Sequence, residues 1–142
     1  MITKSSGFSL VELLVVVAII GVIASVGVIS YSGYVRSSNM KAAENIMTQI
    51  SLAQTEYYSD MGTYYETTGA ASNSCTTSTA TNTEINTNLF GGTNVVSTEL
   101  GYNICTGKSN NEFIIEATEV GTAPNCEITL DGQMNITRTN CS

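Results

Sequence analysis

Cysteines and carboxylates are the side chains that could do chemistry here, because the chain has four cysteines, 12 acidic residues and no histidine. Without histidine there is no His-based catalytic triad and no histidine metal ligand. Zinc sites built from cysteines usually contain close pairs, and this sequence has no C-x-x-C pair. The cysteines are Cys75, Cys105, Cys126 and Cys141. Their spacing favours two disulfides, formed in an oxidising compartment outside the cytoplasm.

Four cysteines allow three pairings, and the sequence alone leaves all three open. We prefer Cys75–Cys105 with Cys126–Cys141, because neighbouring pairs suit a small meander of strands. Carboxylates such as Asp131 offer the oxygen ligands that calcium prefers, but the sequence contains no EF-hand loop. We therefore predict no catalytic residue, no metal site and no cofactor, and a protein that is not an enzyme.

One carboxylate, Glu12, lies near the start of a long apolar run. From Phe8 to Ile29 the other polar side chains are Ser9 and Ser25. A helix of this length rises about 33 Å, close to the thickness of a bilayer core. The run is too long for the apolar part of a signal peptide. It predicts a segment buried in a membrane or in a helix bundle, where a carboxylate costs about 2.5–3.5 kcal/mol unless it finds a partner.

The helical pattern continues to about Asp60, because no proline occurs before Pro124. Apolar residues recur at spacings of three and four, which predicts one buried face. That face comprises Ala43, Ile46, Met47, Ile50, Ala53, Tyr57 and Met61. The polar side chains available for the opposite face are Lys41, Glu44, Gln49 and Glu56. The tandem tyrosines Tyr57–Tyr58 and Tyr64–Tyr65 are predicted to pack the helix on a folded head.

The head has two parts in the sequence. Residues 63–99 are rich in Ser, Thr and Asn, which predicts a surface loop anchored at Cys75. Residues 100–142 contain short alternating runs separated by turn signals, which predicts an antiparallel meander of three or four strands. One face of this sheet should cover the amphipathic part of the helix. The expected fold class is therefore α+β.

The stretch GFSLVELLVVVAIIGVIA, residues 7–24, resembles the N-terminal signature of type IV prepilins, in which Glu is the fifth residue after the cleavage site. The resemblance implies that a prepilin peptidase removes leader residues 1–7 between Gly7 and Phe8 and methylates the new Phe8 amine. It further implies a hydrophobic fibre-core helix at 8–35, its amphipathic half at 36–62 and a globular head at 63–142. Phe8 and Glu12 would then be assembly residues, paired as amine and carboxylate between neighbouring subunits.

The stretches YYSDMGTYY and CEITLDGQMNITRTNC resemble the type IVa pilins, including minor pilins. The resemblance implies an exposed variable loop from Glu127 to Asn140, and some pilins carry an O-linked glycan at a terminal serine, here Ser142. Many type IVa pilins have a proline at the position of Ile29. Without it, a melted helical segment in the fibre would depend on Gly21 and Gly27.

The leading hypothesis is a structural subunit of a type IV pilus that serves adhesion, twitching motility or DNA uptake. Its partners would be identical or homologous pilins, the prepilin peptidase, the inner-membrane assembly platform and, before assembly, lipid. The precursor would lie in the bacterial inner membrane with a periplasmic head, and the mature chain in an extracellular filament. The alternatives are a type II secretion pseudopilin, or a minor pilin acting as tip adhesin or DNA receptor. A net charge of −7 disfavours DNA as a partner of the head.

Overall fold

The computed structural model describes residues 7–121 and 123–141, and the side chains of these residues other than 28–30. The chain divides into two compact units between residues 38 and 39. We call their described parts the N-terminal segment (residues 7–38) and the head (residues 39–141). The elements, in chain order, are α1 (Leu10–Met61), α2 (Thr79–Asn88), a short 3₁₀ helix (Thr98–Leu100), β1 (Tyr102–Ser109), β2 (Glu112–Glu119), β3 (Glu127–Asp131) and β4 (Ile136–Thr139).

Helix α1 runs without interruption for 52 residues, which confirms the prediction of one long N-terminal helix. Gly21, Gly27 and Gly33 all lie within it. The helix ends where Gly62 adopts a φ of 70°, a left-handed conformation that glycine takes without a steric penalty. The Gly62 amide donates to the Tyr58 carbonyl at 2.8 Å, so this turn also uses one of the last helical carbonyls.

The sheet of the head is a four-stranded antiparallel meander in the order β1-β2-β3-β4, as predicted. Ser109 pairs with Glu112, so β1 and β2 are joined by a two-residue turn. Asn110 in that turn has a φ of 57°, and asparagine tolerates such a conformation better than most residues. The fold is therefore α+β, with the long helix first and the sheet last.

The core of the head forms between α1 and one face of this sheet. Ala43, Met47 and Ile50 of α1 are at most 1% exposed, which matches the predicted apolar face. The side chains packed with them from the strands are Tyr102, Ile104, Phe113, Ile115, Ala117, Ile128 and Leu130. Met61 was placed on the same face by its spacing, but it lies in the last turn of α1 and is 65% exposed.

The tandem tyrosines pack α1 on the head, as expected. Tyr58 and Tyr64 have ring centroids 4.6 Å apart, and Tyr64 meets the edge of Phe113 at 5.3 Å. Tyr57 contacts Tyr65 at 5.6 Å in a T-shaped arrangement. Such ring pairs add about 0.5–1.5 kcal/mol beyond the area that they bury, so they fix the turn after α1 on the sheet.

Residues 63–99 are not the loop that their composition predicted, because they contain α2. Ser78 accepts from the Thr81 amide at 3.2 Å, and Thr81 Oγ1 accepts from the Ser78 amide at 3.0 Å. This reciprocal capping starts the helix despite its low intrinsic propensity. Ile85 is fully buried, so a single apolar side chain ties α2 to the core.

Polar side chains of α2 hydrogen-bond to backbone groups at the edge of β1, where another strand would otherwise pair. Thr81 Oγ1 donates to the Ile104 carbonyl at 2.7 Å, and Asn82 Oδ1 accepts from the Ile104 amide at 2.7 Å. Asn86 Oδ1 accepts from the Val96 amide at 2.8 Å. Buried backbone groups that lack such partners cost about 1–3 kcal/mol each. The composition that predicted a loop therefore serves to satisfy the backbone of the head.

Candidate functional site: the N-terminal segment and the disulfide-closed head

The start of α1 brings Ser9 and Glu12 together. Gly7, Phe8 and Ser9 precede the helix, and the Leu13 amide donates to the Ser9 carbonyl at 3.2 Å. The Ser9 amide donates to Glu12 Oε2 at 2.9 Å. This is half of a capping box, in which the side chain at the third helical position satisfies the backbone of the cap. Glu12 therefore has a partner within its own chain, at the helix end that favours negative charge.

Gly7 and Phe8, the predicted cleavage residues, lie on an exposed stretch just before the helix. Phe8 is 77% exposed. A Cβ atom built on Gly7 would meet nothing within 4 Å, so packing in the described chain does not require glycine there. The leader residues before Gly7 lie outside the described residues, as does Ser142, the predicted glycosylation site.

The N-terminal segment leaves its apolar side chains uncovered. Its large apolar residues between Leu10 and Val26 are between 46% and 81% exposed. Among the described residues, α1 is the one helix long and apolar enough to cross a membrane. Ser25, the other polar side chain within the apolar stretch, donates to the Val22 carbonyl at 2.7 Å. Apart from Glu12 and Ser25, the side chains from Leu10 to Val26 are therefore apolar on every side of the helix.

Two disulfides close the head, Cys75–Cys105 and Cys126–Cys141, in the neighbouring pairing that we preferred from the sequence. Cys75–Cys105 joins the segment before α2 to β1 across a Cα–Cα distance of 5.9 Å. Cys126–Cys141 brackets the β3–β4 hairpin, with a Cα–Cα distance of 4.5 Å. Both distances lie within the range usual for disulfides.

The segment from Glu127 to Asn140 is a hairpin rather than a loop exposed throughout. Ile128 and Leu130 on β3 are fully buried, because alternate residues of β3 face α1 across the core. Residues 133–140, including all of β4, are exposed. The exposed surface expected between the last two cysteines is therefore limited to the second half of the segment.

The one group of potential metal ligands found among the described residues, and the candidate Asp131, already have other partners. Cys75, Cys105 and Glu116 lie close together, but both sulfurs are in a disulfide and Glu116 Oε2 accepts from the Cys75 amide at 2.9 Å. Asp131 accepts from the backbone amides of Gln133 and Asn135 and from the Asn135 side chain at 2.9 Å. These hydrogen bonds, the side-chain one first, lower the pKa of Asp131, and they cap the turn between β3 and β4.

Glu44 was assigned to the exposed face of α1, but its side chain is only 10% exposed. Its carboxylate accepts a hydrogen bond from Arg138 on β4 and another from Lys41 at 3.0 Å. The hydrogen bond from Arg138 lowers the pKa of Glu44 most, burial opposes it, and Lys41 lowers the pKa further. Because Arg138 is 94 residues away along the chain, helical periodicity could not reveal this pair, which ties the edge strand β4 to α1.

Comparison with known proteins adds one finding. Residues 2–28 match the family model described as the prokaryotic N-terminal methylation motif. No curated protein and no solved structure matches the chain. The motif is the signature of type IV pilin-like prepilins, and the long N-terminal helix with a four-stranded sheet is a pilin-like α+β fold. The motif therefore supports a type IV pilin-like or pseudopilin-like precursor.

Proposed function

We propose that the chain is a structural subunit of a type IV pilus. It is inserted in the bacterial inner membrane as a prepilin with its head in the periplasm, cleaved between Gly7 and Phe8, methylated on Phe8 and built into an extracellular filament through α1. The observation that carries this proposal is the prepilin signature at the start of a helix whose apolar side chains are exposed.

Assembly is expected because the exposed apolar surface of the N-terminal segment must be covered. Exposed apolar surface of this extent is unfavourable in water, so the segment needs lipid before assembly and other helices after it. Identical or homologous subunits supply such helices. Removal of residues 1–7 would create an amine at Phe8, four residues before Glu12. In a water-excluding fibre, the amine of Phe8 on a neighbouring subunit balances the charge of the buried Glu12 carboxylate.

The pilus is favoured over the pseudopilus by the hairpin closed by Cys126–Cys141, because a disulfide-bounded C-terminal region is typical of type IVa pilins and pseudopilin heads commonly lack it. DNA binding is disfavoured by the charges of the head. Its basic residues, Lys41, Lys108 and Arg138, each lie within 4.0 Å of a carboxylate oxygen. Cations that are already paired attract phosphate less strongly.

The test is to delete the coding sequence, image the cells for surface filaments by electron microscopy, and search sheared filaments from the parent strain for this chain by mass spectrometry. A major subunit predicts bald cells and this chain as the main component of the filaments. Trace amounts would indicate a minor pilin. Normal filaments that lack the chain, together with a secretion defect, would support the pseudopilus instead.

A further inference from the structure

Two tyrosines follow the apolar part of the N-terminal segment and are as exposed as the apolar residues before them. Tyr31 is 70% exposed and Tyr34 is 74% exposed. Residues three apart on a helix share one face, so the two rings form one aromatic patch. Two tyrosines of the head behave differently. Tyr102 is 2% exposed, and Tyr64 lies between Tyr58 and Phe113.

The position of the patch corresponds to one boundary of a bilayer. From Leu10 to Tyr31 the helix rises about 32 Å at 1.5 Å per residue, and the hydrocarbon core of a bilayer is about 30 Å thick. The carboxylate of Glu12 lies near the other end of this span. A helix that crosses the bilayer along this stretch has Glu12 near one interface and the two tyrosines near the other.

The chemistry of tyrosine fits that boundary. Its ring is apolar and its hydroxyl is polar, and for this reason tyrosine is enriched at the interface between the acyl chains and the headgroups. A role in the core of the head would bury the rings, and an exposed apolar fibre-core position would not require a hydroxyl. The combination of high exposure, one shared face and a bilayer-length spacing favours lipid as the partner.

We propose that Tyr31 and Tyr34 anchor the precursor in the headgroup region of the periplasmic leaflet and thereby set the depth of α1 in the membrane. The partner is phospholipid. This inference rests on the proposed membrane-inserted precursor, and it adds the residues that fix its depth.

The chain contains no tryptophan, so a single introduced tryptophan reports its own depth. The variants are Tyr31→Trp and Tyr34→Trp at the patch, Val22→Trp as a deep control, and Leu52→Trp, an exposed position of the head, as a control outside the membrane. Each full-length chain is reconstituted into phosphatidylcholine–phosphatidylglycerol vesicles. Bromine is carried either near the headgroup end or near the methyl end of the acyl chains, and quenching of tryptophan fluorescence is measured.

The proposal predicts that tryptophan at 31 and 34 is quenched mainly by the lipid brominated near the headgroup, tryptophan at 22 mainly by the lipid brominated near the methyl end, and tryptophan at 52 by neither. If tryptophan at 22 is not quenched, the chain does not insert and the proposed function itself fails. If tryptophan at 22 is quenched but tryptophan at 31 and 34 is shielded from both lipids, another copy covers the patch and the anchor proposal is wrong.

A second measurement tests whether the tyrosines set the depth or only lie there. Tyr31→Leu and Tyr34→Leu together extend the apolar run. The ratio between the quenching of tryptophan at 22 by the two brominated lipids is therefore expected to change relative to the Tyr-containing chain. Tyr31→Phe with Tyr34→Phe keeps the rings and is expected to give a smaller shift. An unchanged quenching profile in the double leucine variant would overturn the depth-setting role.

Discussion

Helix α1 passes through two regions that use apolar residues in opposite ways. In the N-terminal segment Ile20 is 60% exposed, whereas in the head Ile50 is fully buried. The head also buries amides, such as Gln54, which exchanges two hydrogen bonds of 2.8 Å with the backbone of Tyr65. The more apolar region is therefore the one that its own chain does not cover. We propose that lipid or other subunits cover this region, whereas the buried groups of the head are satisfied by contacts within the head itself.

Glu12→Gln should give the largest effect and should be confined to the first region. The amide oxygen of glutamine can still accept from the Ser9 amide, so we expect insertion and cleavage to be retained. Glutamine carries no charge to balance the amine of a neighbouring Phe8, and breaking a buried ion pair costs about 3–5 kcal/mol at each interface. Electron microscopy of the mutant cells should therefore show few or no filaments.

Ser25→Ala is the matched control, because it removes another polar side chain of the same segment that is bonded only locally. It should leave filaments at the parental level. Normal piliation of the Glu12→Gln strain would contradict the assembly role of Glu12.

The same substitution in the two regions should separate their stabilities. Ile50→Ala should lower the free energy of unfolding of the head by about 2–5 kcal/mol, because it removes buried methyl groups and leaves a cavity. Ile20→Ala on the exposed segment should change it by less than about 0.5 kcal/mol. Urea unfolding of the detergent-solubilised chain, followed by near-ultraviolet circular dichroism, measures both. Equal losses would show that the two regions do not differ as described.

The Cys126–Cys141 disulfide should stabilise the head alone. Its sequence separation is 15 residues, for which the loop-entropy model gives about 3 kcal/mol. Cys126→Ser with Cys141→Ser should therefore lower the urea midpoint of the head and leave the far-ultraviolet helical signal of α1 largely intact. Cys75→Ser with Cys105→Ser is the comparison within the head, and its longer loop predicts a loss at least as large. An unchanged midpoint in both double variants would contradict this account.

The smallest effect concerns Glu44, and it depends on pH. Its pKa is lowered below the ordinary value of 4.5, so its contribution is fully present above that pH and is lost as the pH falls through the folded-state pKa. Arg138 is 40% exposed, so solvent screening should keep the contribution of this ion pair to the free energy of unfolding small. The melting temperature of Glu44→Gln should be lower than that of the parent at neutral pH.

The difference between the two melting temperatures should shrink as the pH falls below 4.5 towards the lowered folded-state pKa, where the parent carboxylate also becomes neutral. Glu56→Gln, at an exposed position of the same helix, is the control and should show no such trend. A constant difference across this range would mean that Glu44 acts through packing rather than charge.

Periodicity predicted the parts of the fold in which neighbours along the sequence decide the structure. These are α1, its buried face from Ala43 to Ile50, and the meander. Turn residues such as Asn110 separated the strands correctly. The signature around Glu12 located the candidate site because its residues are contiguous.

The errors arose where distant residues decide. The Ser- and Thr-rich stretch hid α2, although Ser78 and Thr81 have the spacing of a capping box. That helix depends on hydrogen bonds from Asn82 to β1, which composition does not show. Glu44 was predicted to lie on the polar face of its helix, but it is buried and accepts a hydrogen bond from Arg138 on the last strand. Long-range pairing of this kind leaves no local pattern in the sequence.

The most direct test of the central claim is mass spectrometry of the mature amino terminus. The claim is that the N-terminal segment is a prepilin helix released for assembly by processing at Gly7–Phe8. Chain isolated from membranes or from sheared filaments should begin at Phe8, lack the leader MITKSSG, and carry one added methyl group on its amine. A mature chain that retains the leader would contradict the claim.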